Sequence, residues 1–172
     1  MINWGIIGLG NMANKFANAI KEVKNCKLLG ISSKDPGKLK NFESQFNIEK
    51  KYIFNSYDEI LSCEEINAIY ISTLNNTHHE IIIKAIDKKK NILCEKPITT
   101  NYEDTNEIIT KLNKSNIFFL EAIAYRTHKQ TEFILNKIKT EEIGELQTIE
   151  ANFGFAVRKI NPKSRLYNKE LG

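Results

Sequence analysis

The sequence has few of the residues that staple, stiffen or punctuate a chain. There are three cysteines, Cys26, Cys63 and Cys94, and they lie far apart. They form no C-x-x-C pair and no metal-ligand spacing, which excludes a disulfide framework and a zinc site of the usual kind. Reduced thiols in a cytosolic protein are expected, with no metal. Three prolines and eight glycines are too few and too scattered for a Gly-, Pro- or Ser-rich linker, and no internal repeat stands out. No apolar run approaches the roughly 20 residues that cross a bilayer. Met1 leads straight into an apolar segment without a basic leader, so a cytoplasmic protein with no signal peptide and no membrane partner is expected. Charge of either sign is also muted, with 25 Lys and Arg against 21 Asp and Glu. The one tight basic run, Lys88–Lys90, reads as a solvated helix end. Without a clustered basic face interleaved with aromatics, nucleic acid is excluded as a partner.

What remains is enough for a core. The chain has 172 residues, 41% of them hydrophobic, which suits one domain or one domain plus a short extra piece. Short β-rich runs alternate with longer helical ones. Asn3–Gly10 is a strand entering a glycine turn, and the next segment places Met12, Phe16, Ala19, Ile20 and Val23 on one helical stripe. Cys26–Ser32 is a second strand. Asp35-Pro36 opens a helix that turns Leu39, Phe42 and Phe46 inward. Lys51–Asn55 is a short third strand, and a helical turn follows at Tyr57–Ser62. Asn67–Thr73 has the apolar run of a strand buried on both faces. A helix from His78, a strand at Asn91–Glu95, a helix from Tyr102 and a strand at Asn116–Ala122 follow. A helix over about Thr131–Lys139 and an alternating segment, Leu146–Val157, read as a last helix and strand. This alternation predicts an α/β fold: a Rossmann-type doubly wound parallel sheet joined by right-handed crossovers.

In such sheets ligands bind beyond the carboxyl ends of the strands. At the first of these ends stands Gly8-x-Gly10-x-x-Ala13. The first glycine permits the tight turn, and the second lets a pyrophosphate approach the backbone. Ala13 lets helix and strand pack closely. The N–H groups of Gly10, Asn11, Met12 and Ala13, with the helix dipole, suit phosphate. The second strand ends Ser32-Ser33-Lys34, where an acid would favour NAD. A hydroxyl and a cation suit a 2′-phosphate instead, so NADP is favoured, with NAD the alternative. Asp35 reads as the cap of the next helix. A methyltransferase using S-adenosylmethionine also has a glycine-rich first turn, but it wants an acid where Ser33 and Lys34 stand.

Three more polar clusters fall at consecutive strand ends: Thr73, Asn75 and His78 after the fourth, Glu95-Lys96-Pro97 after the fifth, and Glu121, Tyr125 and Arg126 after the sixth. Together with the glycine turn they resemble the Gfo/Idh/MocA family of NAD(P)-dependent oxidoreductases. The motifs "GIIGLGNMA", "SSKDPGK", "YISTLNNTHHE", "NILCEKPIT" and "EAIAYRTH" carry the resemblance across almost the whole chain. The last of these looks most like the dihydrodiol and NADP-dependent xylose dehydrogenase subgroup.

The resemblance implies hydride transfer between a nicotinamide and a hydroxyl or carbonyl of a sugar, polyol or diol. It makes Lys96 the catalytic residue, contacting the reacting oxygen, with Glu95 holding it or touching the cofactor and Pro97 in a cis bond. An ammonium in that place can stabilise a developing alkoxide. Asn75 and His78 would line the ribose and nicotinamide region. Tyr125 and Arg126 would border nicotinamide or substrate, while His128 departs from the pattern because Lys129 follows it.

The resemblance also divides the chain: a dinucleotide-binding domain over 1–122, then a crossover helix and first strand of a second α+β domain over 123–172. Family members continue past "RLYNKELG" with the substrate wall and the dimer face. The expectation is therefore a cofactor-binding part whose tail, from about Phe153, is loosely held or covered by another copy in a homo-oligomer. The competing reading is a non-catalytic NADP(H)-binding module or sensor.

Overall fold

The structure, a computed structural model, describes residues 1–154, 156–157, 160–162 and 167–168. The chain divides into two compact units, the first running from Met1 to Ala122 and the second beginning at Ile123. The first unit holds β1 (Ile2–Ile7), α1 (Asn11–Ile20), β2 (Cys26–Ser32), α2 (Pro36–Phe46), β3 (Ile53–Phe54), α3 (Tyr57–Ser62), β4 (Ala68–Ile71), α4 (His78–Asp87), β5 (Asn91–Cys94), α5 (Tyr102–Leu112) and β6 (Phe119–Glu121). The strands form one parallel sheet in the order β3-β2-β1-β4-β5-β6. The chain starts at the centre, winds out to β3, returns to β4 beside β1 and winds out the other way. The strand order therefore reverses between β1 and β4, and a crevice opens there at their carboxyl ends.

Isoleucine dominates the core. Ile6, Ile7, Ile31, Ile69, Ile71, Ile82, Ile92 and Ile108 are buried from β1, β2, β4, α4, β5 and α5. All four residues of β4 are buried, as expected for a strand covered on both faces. β-branched side chains fit such a pleated, two-sided surface.

Local chemistry sets the helix starts. Asp35 caps α2 by accepting from the N–H groups of Gly37 and Lys38, with Pro36 at the first helical position. Ser56 caps α3 through the Asp58 N–H, and Asn101 caps α5 through the Asp104 N–H. Helix α1 begins at Gly10 with no side-chain cap.

Several sequence expectations need correcting. The inward face of α1 is Ala13, Ala17 and Ile20; Met12 and Val23 are exposed, and so is Ala19. The helix ends at Ile20, so Val23 cannot extend the stripe, and small alanines let α1 lie close on the sheet. Lys51–Asn55 shrinks to the two residues of β3, preceded by a 3-10 turn.

Lys88–Lys90 is not simply a solvated end. Lys90 is buried, and its Nζ donates to the carbonyls of Cys63 and Ile66, each at 2.7 Å. Both carbonyls lie in the turn that follows α3, where the Cys63 carbonyl also accepts the Ile66 N–H, and the lysine adds a donor to each. Burial lowers the Lys90 pKa from its ordinary value.

The second unit contains a 3-10 turn at Ala124–Thr127 and α6 (Lys129–Lys139). No residue of α6 is buried. Leu146–Val157 carries no strand at any described position, including Leu146 to Gly154. Alternation gives a segment a face, but a ladder needs a neighbour, and the second unit offers no described strand. Phe153 is 96% exposed. Most of the tail beyond it, where a loosely held or copy-covered segment is expected, lies outside the described residues. Among the described residues no helix is long and apolar enough to cross a membrane.

Candidate cofactor and active site

The glycine turn sits at the head of the crevice between β1 and β4. Gly8 has φ +89°, a conformation that L side chains rarely adopt. A Cβ there would stand 2.8 Å from the Thr73 amide nitrogen and 2.9 Å from the Ser72 carbonyl carbon. The turn is tied to both neighbouring strands: the Gly8 N–H donates to Ser32 O at 3.0 Å, and Ser72 Oγ donates to Gly8 O at 2.7 Å. Ser72 was not legible as a site residue in the sequence.

Gly10 differs in kind. Its backbone is extended, with φ −103°, and a Cβ added to it would meet no described residue within 4 Å. Neither its conformation nor packing against the described residues requires glycine here. The open space lies at the uncapped start of α1, where the amides of Asn11, Met12 and Ala13 have no intrahelical acceptor. Asn11 and Met12 are exposed, and Ala13 is buried beneath them. This is the chemistry an anion needs: free donors, the positive end of a helix and room to approach.

At the end of β2, Ser33 is buried and its Oγ accepts the Asp35 N–H at 3.1 Å. The hydroxyl proton stays available for donation. Lys34 is exposed.

On the other side of the crevice, β5 delivers Glu95, Lys96 and Pro97. The Lys96–Pro97 bond is cis. Three side chains from three other elements grip the backbone and flank of this turn. Tyr70 of β4 donates to Glu95 Oε1 at 2.5 Å. Glu121 of β6 accepts the Ile98 N–H through its Oε1 at 2.9 Å. His78 of α4 sets Nδ1 2.9 Å from Pro97 O, while its Nε2 lies 3.3 Å from Thr73 O. Behind Tyr70, the Phe16 ring of α1 stacks at 4.1 Å between centroids, and Trp4 packs edge-on against Phe16.

His78 is fully buried, and its two ring nitrogens face the Pro97 and Thr73 carbonyls, to one of which a neutral imidazole donates. Its ring lies between the end of β4 and the turn after β5. Its register, three residues after Asn75, puts it at the first turn of α4, whose inner face is core. It is a positioning residue that ties the end of β4 to the turn after β5. Glu121 acts in the same way through the Ile98 amide.

Asn75 is buried in a 3-10 turn before α4. The Thr73 Oγ1 accepts from Thr77 Oγ1 at 2.7 Å. Lys96 is exposed and makes no hydrogen bond or ion pair with a described residue. Tyr125 and Arg126 are exposed in the second unit.

Burial decides the chemistry of the two buried acids of this region. Desolvation first, then the hydrogen bond to Glu95, pushes the Tyr70 phenol far above its usual range. It remains a hydrogen-bond donor. Desolvation, reinforced by Glu95 and Glu121, pushes the Cys94 thiol up as well, so it is no nucleophile at neutral pH.

A parallel sheet ordered 3-2-1-4-5-6, with a glycine turn and an uncapped helix at its switch point, defines a dinucleotide-binding fold. The chain belongs to the Gfo/Idh/MocA family: the model for that oxidoreductase family, with its NAD-binding Rossmann fold, matches residues 2–123. Trans-1,2-dihydrobenzene-1,2-diol dehydrogenase of Xenopus tropicalis is 32% identical over 98% of this chain and 50% of its own length. The scyllo-inositol dehydrogenase of Lactobacillus casei, solved with NAD(H) and scyllo-inositol, superimposes with a TM-score of 0.80 at 22% identity, over 84% of this chain and 43% of its own. A 3-ketoreductase from Actinomadura kijaniata in complex with TDP-benzene and NADP gives 0.74 at 22% identity, over 84% and 45%. At those identities the structural likeness is one of fold. The chain spans about half the length of the curated relatives it matches.

Proposed function

We propose that this chain is the cofactor-binding part of an NAD(P)-dependent oxidoreductase, preferring NADP, that acts on a hydroxyl or carbonyl of a sugar, polyol or diol. The observation that carries the reading is Gly10, a glycine that no described residue crowds and whose backbone is ordinary extended chain, beside the uncapped N-terminus of α1. Gly10, Asn11, Met12 and Ala13 would hold the pyrophosphate, with Gly8 shaping the turn. Ser33 and Lys34 would meet the adenosine ribose and its 2′-phosphate. Thr73 and Asn75 would line the far ribose, with Glu95 and Pro97 at the nicotinamide side. When bound, the nicotinamide supplies or accepts a hydride.

Lys96 would bind the reacting oxygen and stabilise the charge that develops on it. Its side chain is exposed and makes no hydrogen bond or ion pair with a described residue, while the turn beneath it is held by Tyr70, His78 and Glu121. Preorganisation of this kind lets a donor act without reorganising during the reaction. The diol substrate class follows the Xenopus relative. The proposal rests on residues of the first unit and does not need Tyr125 or Arg126. The alternative of a cytoplasmic NADP(H)-binding module without turnover uses the same cofactor residues but gives Lys96 no task.

The test is a titration of the chain with NADPH and with NADH, followed by nicotinamide fluorescence. Tighter binding of NADPH is expected, and Lys34→Ala should reduce that preference. Tighter NADH binding would overturn the choice of cofactor and leave the fold reading intact. Binding of neither would remove the proposal.

A further inference from the structure

The cation at the end of β2 is held by a residue from another element. Lys34 Nζ lies 5.4 Å from the centre of the Tyr57 ring. Tyr57 opens α3 directly after the Ser56 cap, is half-buried and packs against the core. Two hydrogen bonds join this segment to β2: Ser32 Oγ donates to Ser56 O at 3.1 Å, and the Ser33 N–H donates to Phe54 O at 3.4 Å. The ring therefore stands in a place set by the sheet. Burial raises the Tyr57 phenol above its usual pKa, so the ring remains a neutral phenol. A free lysine has four rotatable carbons and no preferred direction. An ammonium over an aromatic face gives up part of that freedom and keeps N–H donors on the side away from the ring.

We infer that Tyr57 is a specificity-determining residue for the cofactor: its ring holds the Lys34 ammonium at the end of β2, poised for a 2′-phosphate. This rests on the Ser33–Lys34 reading proposed above. Tyr57 acts through Lys34 and is a positioning residue, not a group that must touch the cofactor. Affinity for a 2′-phosphate then depends on the lysine and on the ring that directs it, because ordering the lysine beforehand lowers the cost of binding. NADH, which lacks that phosphate, should be indifferent to the ring. From the sequence, Tyr57 was only the first residue of a helical turn, since its partner lies on a different strand end.

The experiment is calorimetric titration of the whole chain with NADPH and NADH, in the wild type, Tyr57→Leu, Tyr57→Phe, Lys34→Ala and the Lys34→Ala/Tyr57→Leu double variant. Thermal melts establish that each is folded, and Tyr57→Met replaces Tyr57→Leu if the latter is not. The NADPH-over-NADH preference should fall about three-fold in Tyr57→Leu, with NADH affinity unchanged. Tyr57→Phe, which keeps the ring, should restore the preference. In the Lys34→Ala background the loss of the ring should change nothing. An undiminished preference in Tyr57→Leu, or an equal loss without Lys34, would overturn the inference alone. A wild type that does not prefer NADPH would overturn the Ser33–Lys34 reading and the inference with it.

Discussion

The turn after β1 and the turn after β5 face each other across the candidate site and are built by opposite means. At β1 the proposed binding surface is backbone. Gly8 bends the chain, Gly10 leaves a space, and the first amides of α1 point into it. At β5 the surface is a side chain, Lys96, carried on a turn that Tyr70, His78 and Glu121 reach from three other elements to hold. A phosphate site can be made from amides because any residue has one. An ammonium that must meet a reacting oxygen needs a particular side chain and a platform that does not move. The first turn thus depends on what is missing at two positions, and the second on what neighbouring strands supply.

That contrast gives mutations of different kinds, the largest at the glycine turn. Gly8→Ala should cost more than about 3 kcal/mol, since its Cβ would strike the Ser72–Thr73 backbone at a positive φ. Chemical denaturation measures it, and a cost below about 1 kcal/mol would mean that the turn relaxes easily. Tyr70→Phe should have a smaller effect on stability, a loss of about 1.5–3 kcal/mol, because a charge-assisted bond to Glu95 goes while the stack on Phe16 stays. The same denaturation experiment reads it. An unchanged midpoint would show that Tyr70 does not hold the turn, and the platform would then rest on His78 and Glu121.

The same contrast separates what the sequence revealed from what it hid. The parallel α/β sheet, the glycine turn, the Asp35 cap and the Glu95-Lys96-Pro97 turn were legible because each is a local pattern. A strand, two glycines and a helix are contiguous, and so are Asp35 and Pro36. The anchors were hidden because their partners are remote in the chain. Tyr70 and Glu95 are 25 residues apart, and His78 and Pro97 are 19 apart. Only the strand order brings them together. The spacing of His78 from Asn75 fits the family motif, but spacing alone does not say that its ring is buried against the turn after β5.

Lys90 failed for a related reason. Three consecutive lysines look alike in sequence, and only the end of α3, more than twenty residues earlier, singles one out. The Leu146–Val157 segment failed in the opposite direction. Its alternation is a property of one segment, whereas a strand is a property of two.

The most direct test of the account is Gly10→Val, comparing NADPH titration with thermal melting. No described residue stands within 4 Å of the first added carbon, and the backbone there is ordinary extended chain. The expected result is a melting temperature within a few degrees of the wild type, for a change of about 1 kcal/mol at this helix-capping position, together with loss of measurable NADPH binding. A folded Gly10→Val chain that binds NADPH as well as the wild type would contradict the account, because the space beside Gly10 would then not be where the pyrophosphate lies.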